Sequence, residues 1–78
     1  MKYVVSIVDL ETSRGYMHTC RLVATRNLAK AKKIAERSAL HFIVKNGGTL
    51  RRQNWGYGTR HANEEGPRRW ATITTTCG

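Results

Sequence analysis

The side chains able to do chemistry in this 78-residue chain are few and scattered. The carboxylates are Asp9, Glu11, Glu36, Glu64 and Glu65. General acid–base catalysis needs two groups converging on one reacting atom. Here two acids fall at a hairpin turn, one on a helix and two in a loop, and no pair forms. Cys20 with His18, His41 or His61 offers a nucleophile and a base in principle. Cys20 lies mid-strand, however, where small thiols serve as core. These residues and Cys77 also lack the close paired spacings of a zinc site. No catalytic residue, metal ligand or cofactor site is expected, and no small-molecule substrate.

The cations carry more information. Fourteen Lys and Arg stand against five Asp and Glu, for a net charge of +9. Such a balance costs self-repulsion, and it suits a polyanionic partner such as nucleic acid, an anionic membrane or an acidic protein surface. Part of the charge is ordered by helical spacing. With Arg26 at zero and 100° per residue, Lys30, Lys33 and Arg37 gather on Arg26's side. Leu28, Ala31, Ala35, Ser38, Ala39 and Phe42 gather on the other. Arg26–Lys30 and Lys33–Arg37 are like-charged i,i+4 pairs, each costing a few tenths of a kcal/mol. A ladder kept at that cost is expected to face phosphates or an acidic surface.

A second basic segment runs Arg51-Arg52-Gln53-Asn54-Trp55-Gly56-Tyr57-Gly58-Thr59-Arg60. Read as one strand, it places Trp55 and Tyr57 on a common face, where bases could stack. The Gly-aromatic-Gly pattern is slightly similar to the RNA-recognition motif, whose order of elements differs. The same aromatics could instead build the core, and Trp70 is expected to do so. Arg68 and Arg69 extend the basic surface beside the last strand. The candidate partner-binding residues are thus Arg26, Lys30, Lys33, Arg37, Arg51, Arg52, Trp55, Tyr57, Arg60, Arg68 and Arg69.

The elements that must position them follow from periodicity. Residues 2–10 read as a strand buried on both faces, residues 11–15 as a turn, and residues 16–24 as a second strand. Thr25 or Asn27 can cap the helix. Beyond residue 39 the helical pattern degrades, and Leu40, Ile43 and Val44 fall off the apolar face. Asn46-Gly47-Gly48 then fits either a helix cap or a hairpin turn after a strand over residues 41–45. Residues 49–61 read as one strand bulged or closely approached at Gly56 and Gly58, residues 62–67 as a loop, and residues 68–76 as the final strand. The fold class is α+β: an antiparallel sheet of four strands, or five with one short addition, and a helix on one face, in the order β-β-α-β-β. Residues 1–78 form a single domain. No secretory or membrane-spanning segment is apparent, and Cys20 and Cys77 leave two readings open, a disulfide or, as expected in a reducing cytoplasm, two buried or idle thiols.

Two segments together resemble a family. They are Leu28-Ala29-Lys30-Ala31-Lys32-Lys33-Ile34-Ala35 and Glu65-Gly66-Pro67-Arg68-Arg69-Trp70. The pairing is similar to small basic phage-encoded anti-CRISPR proteins acting on type I-F systems. The resemblance implies a partner, the crRNA-guided surveillance complex in an infected bacterial cytoplasm. It also implies that target-DNA binding is blocked through a basic surface that includes Lys30, Lys33, Arg37, Arg68 and Arg69. The alternative expectation is a free-standing module that binds DNA or RNA directly.

Overall fold

A computed structural model describes residues 1–10, 17–60 and 68–76. The expected turn at 11–15, the loop at 62–67, His61 and Cys77 lie outside the described residues, as do the side chains of His18 and Cys20. The elements are β1 (Lys2–Leu10), β2 (Met17–Thr25), α1 (Leu28–Asn46), β3 (Thr49–Gln53), β4 (Gly56–Arg60) and β5 (Arg68–Thr76). The five strands form one sheet in the order β2-β1-β5-β4-β3, every neighbouring pair antiparallel. The α+β class and the helix-on-sheet packing are as the sequence predicts, with five strands.

The order of the sheet explains the length of the helix. β2 and β3 are opposite edges, so α1 must carry the chain across the whole sheet. Four inter-strand gaps span roughly 19 Å, and 19 helical residues rise about 28 Å, enough to make the crossing. Asn27 starts the helix, its side-chain oxygen accepting from the Lys30 N–H at 3.2 Å. The Thr25 hydroxyl accepts from the Asn27 N–H and steadies the cap from outside. At the other end Gly47, at φ 79°, donates its N–H to the Ile43 carbonyl at 2.7 Å. That backbone conformation suits glycine, and Gly47 stops the helix at Asn46. Residues 41–45 are therefore the last turns of α1, which settles the choice left open by their pattern.

Alternation along the strands divides the sheet into two faces. Val5, Ile7, Ala71 and Ile73 point at the helix and are buried against Ala31 and Ala35, with Tyr3, Leu28, Ile34 and Tyr57 packed around them. Ala39 and Phe42 continue the buried side of α1. Alanine dominates the contact, so the helix lies close to the strands and the core is thin. Each buried Val, Ile or Phe contributes about 1.5–3 kcal/mol. The opposite face carries half-buried Val4, Ser6, Val8 and Trp70, so β1 is well covered on only one side.

Over residues 49–60 the chain departs from the single strand expected. There it forms a hairpin, β3 and β4 joined by a two-residue turn at Asn54 and Trp55. Asn is a good turn former, and the turn breaks the alternation that would have put Trp55 and Tyr57 on one face. The glycines do mark close approach. A Cβ on Gly56 would stand 2.3 Å from the Ala71 carbonyl oxygen, and one on Gly58 would stand 2.4 Å from the Trp70 ring. Trp70 is the other correction. It points away from the helix and covers Gly58, because alternation along β5 sends Arg69, Ala71 and Ile73 to the helix side and Trp70, paired with Val8 and Gly58, to the other.

Candidate polyanion-binding surface

α1 presents its cations as the sequence predicts. Lys30, Lys33 and Arg37 are all exposed on the outer side of the helix, and Arg26 is exposed one turn ahead, just before the cap. No acidic residue sits in the first helical turn. Glu36, on the flank, is held by Arg52 at 3.5 Å. The like-charged pairs therefore stand without an acid between them, and their mutual repulsion is available to be relieved by an anionic partner.

The same stripe runs further than the charges do. Leu40 follows Arg37 by three residues and Val44 follows Leu40 by four, continuing the spacing of Lys30, Lys33 and Arg37. Leu40 is 43% exposed and Val44 84% exposed. The outer stripe thus begins cationic and ends aliphatic. Sequence reasoning saw that Leu40 and Val44 leave the buried face but missed their position in line with the ladder. Extending the three-four spacing past Arg37 would have found them.

The other candidates are distributed over both faces of the sheet. Arg51 is exposed on the helix-free face, opposite Gly58. Arg52 points to the helix side and pairs with Glu36. Arg60 is exposed at the end of β4, its carbonyl accepting from the Thr49 hydroxyl. Trp55 is 48% exposed in the hairpin turn. Tyr57 packs against the core on the helix side. Trp55 and Tyr57 therefore do not form a shared stacking platform.

Arg68 and Arg69 are neighbours in sequence but point to opposite faces. Arg69 is a structural clamp between strand and helix. Its Nε and Nη2 donate to the two carboxylate oxygens of Asp9 at 2.5 and 2.9 Å. Its Nη1 donates to the Ser38 carbonyl at 2.8 Å and to the Ser38 hydroxyl at 3.1 Å. The guanidinium carbon lies 5.0 Å from the centre of the Phe42 ring, within cation–π range. These contacts use most of the donors of the fork, so Arg69 contributes to the fold rather than to an open basic surface. The β4–β5 pairing is last seen at Gly58 and Trp70, and beyond it the Thr59 hydroxyl accepts the Arg69 N–H at 2.9 Å.

Among the described residues, no three His, Cys, Asp or Glu side chains come together as a metal site. An open pocket is lined by Ile7, Asp9, Arg21 and Arg69, from β1, β2 and β5. Among the described residues, no helix is long and apolar enough to cross a membrane. Compared with protein families, with characterised proteins and with solved structures, the chain finds no match in any of the three.

Proposed function

We propose that this protein is a non-catalytic inhibitor that docks the outer face of α1 on a bacterial nucleoprotein complex, a type I CRISPR surveillance complex being the target its sequence resemblance implies. One observation carries the reading: the cationic stripe of Lys30, Lys33 and Arg37 continues into exposed Leu40 and Val44. Phosphates alone would make use of the cations and leave the aliphatics in water. A protein surface with acidic groups, or with bound phosphates, beside an apolar recess makes use of both. Burying a side chain such as Val44 adds about 1.5–3 kcal/mol to the gross interaction. The mechanism is occlusion. The inhibitor sits where the complex grips nucleic acid, and nothing is turned over.

The experiment is a titration of the protein into a purified type I-F surveillance complex, read by gel shift of labelled target DNA. Stoichiometric loss of target binding supports the proposal. Lys33→Glu/Arg37→Glu and, separately, Val44→Asp should each restore target binding, since all three side chains are exposed. If the complex is unaffected, pull-down from nuclease-treated lysate tests the wider reading. Recovery only through nucleic acid would refute it.

A further inference from the structure

The helix covers one side of the sheet, and the described residues leave the other uncovered. That second face has a coherent chemistry. Arg51, Gly58, Trp70 and Val8 form one row across β3, β4, β5 and β1. The six-membered ring of Trp70 lies over Gly58, where any side chain would displace it. Glycine there gives the ring a flat seat, and Trp70 remains half-buried rather than enclosed. Arg51 stands two strands away in the same row, roughly 10 Å distant by strand spacing. Arg68 lies two residues along β5 on the same face, roughly 7 Å away.

Two further observations point to a ligand. The Arg68 Nε is buried and meets no hydrogen-bond acceptor. With that N–H enclosed, Arg68 offers a ligand its charge and its remaining donors, which an anionic oxygen would help to balance. Among the described residues, the charge on this face is also of one sign. Asp9 and Glu36, the carboxylates among the described residues, are both on the helix side, tied to Arg69 and Arg52.

We propose that the helix-free face of the sheet binds a single nucleic-acid strand, one base stacking on Trp70 while Arg51 and Arg68 hold the adjoining phosphates. An aromatic platform between cations is what an unpaired strand requires. A duplex hides its base faces and gains only from the cations. A protein partner is disfavoured by the exposed threonines at 72, 74 and 76, which break up the apolar area a protein interface would bury. This surface is opposite to the helix stripe and does not depend on it.

The test uses the full chain with fluorescein-labelled dT15, U15 and a 15-base-pair duplex, read by anisotropy. Trp55→Phe leaves Trp70 as the only tryptophan, so its emission reports directly on stacking. The proposal expects both single strands to bind more tightly than the duplex and to quench Trp70. Trp70→Leu keeps an apolar cover over Gly58 while removing the aromatic ring, and should weaken single-strand binding about 5- to 100-fold. Arg51→Gln, at an exposed position, should weaken it several-fold and lower its salt dependence by about one counterion. A preference shared by dT15 and U15 means recognition of base and phosphate; a preference for one means that the sugar or the thymine methyl group is also read. The proposal is overturned if Trp70 emission is unchanged on saturation. It is equally overturned if Lys30→Gln/Lys33→Gln/Arg37→Gln abolishes binding while Trp70→Leu and Arg51→Gln retain it, which would assign the strand to the helix. Neither result bears on inhibition of the surveillance complex, which is read separately.

Discussion

Arg69 offers the sharpest test of how this fold is held together. Its side chain and that of Asp9 are only 14% and 18% exposed, and the guanidinium is shared among a carboxylate, a helix carbonyl, a hydroxyl and an aromatic ring. Arg69→Ala removes all of these together and strips Asp9 of its cation in a largely desolvated place. Breaking a buried pair from one side costs about 3–5 kcal/mol, and the residual exposure argues for the lower end, about 3 kcal/mol. A 78-residue domain has roughly 4–12 kcal/mol of stability in all, at 0.05–0.15 per residue. The melting temperature, followed by circular dichroism, should therefore fall by roughly 12–24 °C, at 4–8 °C per kcal/mol. Arg69→Lys keeps the charge but cannot reproduce the two-pronged contact with Asp9, and should lose a substantial part of the same stability. Asp9→Asn combined with Arg69→Met should be less damaging than the sum of the single changes, because neither partner is then left charged and alone. A fall below about 3 °C for Arg69→Ala would refute the clamp and return Arg69 to the basic surface.

Three other outcomes follow from the same geometry. Arg52→Ala breaks an ion pair in which Arg52 is 72% exposed, and thermal melts should show a change within about 0.5 kcal/mol, in contrast to Arg69. Asn27→Ala removes the helix cap and should cost about 1 kcal/mol by urea denaturation, a loss that Asn27→Ser largely avoids. Gly58→Ala places a methyl group into the Trp70 ring and should destabilise by about 1–3 kcal/mol, with a shift in Trp70 emission as the ring is displaced.

The local pattern of the chain was enough to specify the helix and its two faces. Ala31, Ala35, Ser38, Ala39 and Phe42 repeat at helical spacing, and the same repeat puts Lys30, Lys33 and Arg37 in water. It was enough, too, for the first two strands and the last, where β-branched residues recur at strand length. Side-chain type at a fixed period is a local property, so it can be read without knowing what lies across from it. The end of the helix was different. Residues 40–46 are apolar enough for either helix or strand, and the conformation at Gly47 and the packing of Phe42 against the sheet decide for helix. The hairpin at Asn54 and Trp55 likewise depends on β4 finding β5, where the Trp55 carbonyl accepts the Ile73 N–H at 2.6 Å. Arg69 and Asp9 lie 60 residues apart, and only the antiparallel register of β1 with β5 brings them together. A domain poor in Leu and Phe favours Trp70 as core material. The register of β5 instead sends Arg69, Ala71 and Ile73 to the helix and Trp70 to the other face, and that register is set by pairing among strands rather than by any residue alone.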